Sequence, residues 1–308
     1  MKTSIIAALC CTFITACAPD VPFTPEPEPA TDTTGTVRHP VTIHISQTGK
    51  LSSAITGIRH LDIFVYGGNP LLRLILHKRV EFGDGRKSKL QEELELDSGD
   101  YLIAAIADCR YQFDASKLTA YETLESLCLL YADEDPQHPV RSGTAQVSVG
   151  PDATELTLEL EPLLCEIQIR SIEWDPGNGN GDIRLEHPRI YLLNANAQAE
   201  PMRKRNFRAT QMLNCGSLSP ADVHSLNYPG MLYRVLESDV GRYTSYPQTS
   251  LFCYPNDPEE EDIGCPRTIL VLEAEVLGRT LRREIEMSAL RRGSLTPVDL
   301  KISPETDL

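Results

Sequence analysis

Aromatic side chains are scarce in this sequence. There is one tryptophan, Trp174, and Phe, Trp and Tyr together make up 6% of 308 residues, which gives little material for the exposed ring platforms on which sugars stack. Positive charge is short as well. Against 44 Asp and Glu stand 29 Lys and Arg, a formal charge of −15. A surface of that sign repels phosphate backbones, so no nucleic-acid partner is expected. Familiar catalytic patterns are missing: no CxxC, no HExxH, no G-x-S-x-G and no P-loop. The histidines at 39, 44, 60, 77, 138, 187 and 224 form no close ligand pair and read as solvated or structural. Gly177, Gly179 and Gly181 are followed by no Lys-Ser/Thr, so they suit a turn and not a phosphate cradle. Asn178, Asn180 and Asp182 are spaced like the start of a calcium loop, but Ile183 and Arg189 stand where glycine and glutamate are required. We therefore expect no catalytic residues, no metal and no cofactor: the chain does not read as an enzyme.

Long apolar runs are also missing, with one short exception. Met1-Lys2 is a basic start, and Ile5 to Ile14 is an apolar stretch. It is too short for a permanent membrane helix, which needs about 20 apolar residues, and fits the apolar part of a signal peptide. It ends in Ile14-Thr15-Ala16-Cys17. That resembles a bacterial lipobox, an aliphatic residue and two small ones before the cysteine that is lipidated. Residues 1–16 are thus expected to be removed and Cys17 to carry acyl chains, palmitate among them. At about 0.8 kcal/mol per buried CH₂, several chains hold a protein on a membrane nearly permanently. Residues 17–38 are rich in proline and acid and read as an extended tether that buries too little apolar surface to fold.

The rest has the composition of a folded protein, and its length favours two domains. From Val41 the pattern has period two, the mark of half-buried strands. Val41, Ile43 and Ile45 alternate with Thr42, His44 and Ser46. Further strands are expected at Leu61–Tyr66, Leu90–Leu96, Tyr101–Ile106, Val147–Val149 and Leu156–Leu160. After Pro162, which reads as a boundary, they recur at Ile167–Ile169, Arg189–Asn194, Ile269–Val276, Leu281–Met287 and Val298–Ile302. Leu118, Tyr121, Leu124, Leu127, Cys128 and Tyr131 are spaced for one helical face. They predict a helix over about 116–131, capped by a Thr119–Glu122 box or begun at Asp114 or Ser116. A second short helix is expected within 217–233. Residues 175–182 read as a loop. The expectation is a mainly β protein of two tandem sandwiches, covering 39–162 and 163–303, with a short tail at 304–308.

Besides Cys17, six cysteines follow the leader: 109, 128, 165, 215, 253 and 265. In an oxidising compartment these allow three disulfides in 15 pairings; buried free thiols are the other reading. The spacing of Cys253 and Cys265, around Pro255, Pro258, Gly264 and a Glu259–Asp262 acidic run, favours a bridge between them.

The order of lipobox, acidic tether, Leu61-Asp62-Ile63-Phe64-Val65-Tyr66 and Ser98-Gly99-Asp100-Tyr101 resembles the N-terminal domain of fimbrillin-like proteins. Leu160-Glu161-Pro162-Leu163-Leu164-Cys165-Glu166-Ile167 is similar to their domain junction. Tyr254-Pro255-Asn256, then Thr268 to Ala274 and Gly278, is similar to their late hairpin. Two departures stand out: Leu281-Arg282-Arg283-Glu284-Ile285 stands where an aromatic-rich strand is usual, and Arg291-Arg292 occupies the place of the usual Arg-Asn pair. The likeness is greatest to the anchor and minor-subunit branch of type V pili, surface fibres of Bacteroides-type bacteria. It implies transthyretin-like sandwiches, a lipid-anchored outer-membrane and fimbrial location, and pilus subunits as partners through strand addition. It also implies that Arg38 is a processing site if the chain is a stalk subunit, because stalk subunits are trimmed after an arginine ahead of the first strand. The alternative function is a surface glycan- or protein-binding lipoprotein.

Overall fold

Fourteen principal strands lie among the described residues. The computed structural model describes residues 37–52, 57–68, 70–83, 90–178, 180–203, 209–215, 231–244, 246–258 and 265–304. Within them the first seven strands are β1 (His39–Gln47), β2 (His60–Gly67), β3 (Arg73–Glu81), β4 (Leu90–Leu96), β5 (Gly99–Ala107), β6 (Arg141–Val149) and β7 (Thr154–Pro162). The second seven are β8 (Cys165–Trp174), β9 (Glu186–Leu193), β10 (Tyr233–Val235), β11 (Thr249–Cys253), β12 (Ile269–Val276), β13 (Arg279–Glu286) and β14 (Leu295–Ile302).

The two sets follow the same path. In the first, one layer runs β3-β2-β5-β6 and the other β7-β1-β4. In the second, the layers run β10-β9-β12-β13 and β14-β8-β11. Each strand n of the first set has its counterpart at n+7. In both sets the first strand pairs parallel with the last, β1 with β7 and β8 with β14. The same first strand pairs antiparallel with the fourth, β1 with β4 and β8 with β11. The fold is thus two β-sandwiches of one topology in tandem. In the first sandwich β6 and β7 also pair at Arg141–Pro162 and Ser142–Glu161, which joins its layers along one corner.

Alternation explains most of the strands. Val41, Ile43 and Ile45 of β1 point inward and meet Leu90, Leu94 and Leu96 of β4 and Leu158 and Leu160 of β7. Leu61, Ile63 and Val65 of β2 and Ile103, Ala105 and Ala107 of β5 complete this core from the facing layer. β2 is buried on both faces. Phe64 and Tyr66, with Ala104 and Ile106, turn the other way into a second core that runs through residues 109–140 into the second sandwich. That double burial is why β2 is apolar nearly throughout. Its one charge, Asp62, is fully buried and is held by His77 Nε2 at 2.9 Å and Arg79 Nη1 at 3.2 Å.

The expected helix over 116–131 does not form as one piece. A 3₁₀ turn at Ala115–Lys117, capped by Asp114, precedes an α-helix of only Tyr121–Glu125. A two-residue strand at Leu129–Leu130 and a 3₁₀ turn at Tyr131–Asp133 complete the segment. Sheet pairing overrides the helical spacing. Leu74 N–H donates to Thr119 and Tyr121 N–H to Leu72, so residues 119–121 cover the start of the β3 edge. Ala120, in extended conformation, becomes the N-cap without a side-chain bond, and the Thr119–Glu122 box is not used. Leu118, Leu124 and Tyr131 are nevertheless all buried. Most of the helix expected within 217–233 lies outside the described residues, as do residues 1–36 with Cys17.

Candidate functional site

The feature that best fits subunit assembly is the seat of β1. Its neighbours hold it by ladders on both sides, from Val41↔Thr154 to Gln47↔Leu160 on β7 and from His39↔Leu96 to Ile45↔Leu90 on β4. Inward, three apolar side chains are buried; Val41 and Ile43 are fully covered. At about 1.5–3 kcal/mol each, their burial stabilises by roughly 6 kcal/mol, an upper value. Outward, Thr42, His44 and Ser46 are half-buried, and His44 Nε2 lies 3.7 Å from Glu155 Oε2. The slot is therefore defined by main-chain groups and by pockets for alternate side chains.

Arg38 stands immediately before this strand. Its side chain is 66% exposed and its Nε is 4.0 Å from Asp97 Oδ1. It is accessible, but a cut there leaves β1 in its seat and the slot filled. A cut in the loop between β1 and β2 would be needed to free the strand. The far end of β1 is tied down: Thr48 N–H donates to Leu160 at 2.9 Å, and Lys50 N–H to Gly293 at 2.7 Å. Gly49, at φ +107°, passes so close to Pro162 and Gly293 that a side chain would have to displace Pro162.

Those contacts belong to the junction between the sandwiches, which centres on Arg292. Arg292 is 7% exposed, and its guanidinium donates to Pro201 O at 2.6 Å, Ser142 Oγ at 2.7 Å and Glu161 O at 3.1 Å. Burial holds it below the usual guanidinium range, opposed by the charge of Glu161. Glu166, fully buried, accepts from Ser52 N–H and Ser250 Oγ, both at 2.6 Å. Ser52, in the β1–β2 loop of the first sandwich, and Ser250, on β11 of the second, thus share the Glu166 carboxylate. Nearby, Arg141 and Asp108 form a buried pair at 3.1 Å. Burial pushes the fully enclosed Glu134 carboxyl up to about 7, although it accepts N–H groups from Val140 and Asp135.

The second sandwich carries an open cleft of about 790 Å³ at one end, lined by Glu173, Trp174, Asp175, Arg242, Tyr243, Arg283 and Lys301. Tyr243 is 91% exposed, with the Arg242 guanidinium 5.6 Å from its ring centre. Residues 175–178 and 180–182 lie in the expected loop beside it, where Trp174 Nε1 donates to Ile183 O.

No protein-family model matches this sequence, and no curated protein sequence matches it. Solved structures do match. One is a candidate cell adhesion protein of Parabacteroides distasonis, with a TM-score of 0.64 at 10% identity over 87% of this chain and 89% of that one. A fimbrilin of Porphyromonas gingivalis superposes with a TM-score of 0.53 at 13% identity over 86% and 97%. A C-terminally truncated tip fimbrial protein of the same organism gives 0.54 at 12% identity over 82% of both chains. This chain has the fimbrillin-like fold.

Within the fimbrillin-like fold, the residues singled out from sequence fall in different places. Cys17 lies outside the described residues. Arg38 is beside the β1 slot. Cys253 and Cys265 are free thiols here; Cys253 ends β11, fully buried, opposite Cys165 of β8. No group of three or more His, Cys, Asp or Glu among the described residues could hold a metal. Sequence reading missed the roles of Arg292, Glu166 and Ser142. Glu166 lay within the stretch likened to a domain junction and Arg291-Arg292 stood out as a departure from the family, but nothing marked either charge as buried.

Proposed function

We propose that this chain is the lipid-anchored basal subunit of a type V fimbria, joined to its neighbour by strand addition. Cys17 takes the lipid, residues 17–38 are the tether, and two domains of 39–162 and 163–303 form the body. The observation that carries the reading is β1. It follows directly on the tether and fills its own slot between β4 and β7 with matched alternation. A subunit whose slot is filled by its own chain accepts no donor there, so it closes one end of a fibre. A tether that stays attached to β1 keeps that end on the outer membrane. Trimming at Arg38 would detach the lipid without opening the slot, which suits neither a stalk subunit nor an anchor; on this reading Arg38 stays uncut. The protein acts by binding and not by catalysis.

The test is cell fractionation with Cys17→Ala. Fibres should leave the cell and be recovered from the medium, with pilin abundance unchanged. Fibres that stay on cells carrying the variant would contradict the anchor role.

The Tyr243 cleft favours a second reading, a surface glycan- or protein-binding lipoprotein. An exposed ring flanked by Arg242 and Asp175 offers a stacking face with polar groups on either side. Loss of binding to host or bacterial glycans in Tyr243→Ala, with fibre anchoring intact, would establish it.

A further inference from the structure

Cys165 opens β8 and Cys253 closes β11, and the two are direct partners across the antiparallel ladder. Directly opposed residues in such a ladder project to the same side, with Cα atoms about 4.5–5.5 Å apart. That lies inside the window of about 4.4–6.8 Å that a disulfide requires. Both side chains are fully buried. Cys165 Sγ donates to Arg291 O at 2.9 Å, which fixes its direction. Neither thiol is therefore placed to act on solvent or on a ligand; the two face each other across the ladder.

We propose that Cys165 and Cys253 are a cross-strand disulfide site, oxidised on export, and that this pairing takes the place of a Cys253–Cys265 bridge. The inference rests on export of the chain to an oxidising compartment, as in the function proposed above. In the step, the two S–H bonds are broken and one S–S bond forms between Cys165 and Cys253. The two electrons and two protons pass to the disulfide of a thiol–disulfide oxidoreductase, which leaves as a dithiol. Burial and the neighbouring thiol hold Cys165 well above the ordinary thiol range, and both sulfurs are enclosed, so an oxidant does not reach them once the fold is complete. Oxidation accordingly precedes the final packing of β11 on β8. The bridge would lock β11 to the strand that leads out of the junction, one residue from Glu166 and its bonds to both sandwiches. It holds that side of β8 even if β14 on the other side is displaced.

The test is peptide mapping of the full chain taken from the membrane fraction. Thiols are blocked in acidic denaturant without reduction, and the digest is read by mass spectrometry. The expected result is a linked pair of peptides carrying Cys165 and Cys253, two hydrogens lighter than their sum and separated by reductant. The N-terminal peptide in the same digest reports whether the leader was removed, so a failure of export is seen separately. Reduced full-length protein refolded with glutathione disulfide tests the pairing without export, and the same linked peptides are expected. There, Cys253 joined to Cys265 or Cys215, or both thiols blocked as free, would overturn the proposal. Reduction of the bridged protein should also lower its urea midpoint.

Discussion

The two sandwiches share one strand path but differ in what is held and what is loose. β1 and β8 occupy the same topological place, each between the last and fourth strands of its set. β8 continues at its start into Leu163 and Leu164, whose neighbours Val140 and Gly293 hold them by main-chain bonds, and at its end into the 175–185 loop. Releasing it would take two cuts. β1 is continuous with the body only through residues 48–59, so one cut frees it. The connections differ too. In the first set, β5 reaches β6 through residues 108–140, which cover the core. In the second, β12 and β13 are joined by a turn at Leu277-Gly278, both with positive φ. Duplicated topology does not mean duplicated mechanics: β1 is tied to the body at a single end and β8 at both.

The largest effect should come from removing β1 itself. Deleting 39–47 should unfold the first sandwich while the second keeps its strands, as read by hydrogen exchange, and a peptide of sequence HPVTIHISQ should restore protection. A first sandwich that stays protected without the peptide would end the idea of a slot.

Next in size is Arg292→Met. It removes the guanidinium from Ser142 Oγ and the Glu161 carbonyl and leaves the Pro201 carbonyl with Ser142 Oγ as its donor, at a cost of about 4 kcal/mol in chemical denaturation. It should also split unfolding into two transitions, one per sandwich. One transition would mean that the junction is held elsewhere.

Glu134 gives a pH-dependent difference. Its carboxyl is raised in the folded state to about 7, against about 4.3 when unfolded. The folded protein then holds a proton that the unfolded chain has lost, so this group's contribution falls as pH rises from about 4.3 to 7. The loss is about 3 kcal/mol by linkage. Glu134→Gln should flatten that slope and be the more stable form at pH 8. An unchanged slope would show that another group is responsible.

The smallest effect compares two glycines. A Cβ on Gly143 would lie 1.9 Å from Glu159 O at the β6–β7 corner, whereas Gly278 has open space but φ +72°. Gly143→Ala should cost about 2 kcal/mol and Gly278→Ala about 1 kcal/mol, measured by thermal unfolding. The reverse order would show that the corner yields more readily than the turn.

Much of this was legible from alternation. Val41, Ile43 and Ile45, Leu156, Leu158 and Leu160, and the run at 269–276 each have one face on a core, and period two records that directly. β3 was not legible: Leu74, Leu76 and Val80 face a core, but Ile75 is exposed and His77, Lys78 and Arg79 answer to Asp62, Glu92 and Glu81. The helix over 116–131 failed because its apolar residues are buried one by one along a chain that first repairs a sheet edge. The β1 slot was visible as a strand but not as a slot, since its parallel partner β7 lies more than a hundred residues away. Arg292 illustrates the general limit. Its environment is made by Ser142, Glu161 and Pro201, and no local pattern announces a charge buried among residues that distant.

The most direct test of the central claim is the mature N-terminus of this protein on assembled fibres, read by mass spectrometry. The account predicts a lipidated Cys17 continuous through β1 into the body. An N-terminus at His39, or one beyond Gln47 with β1 gone, would contradict it.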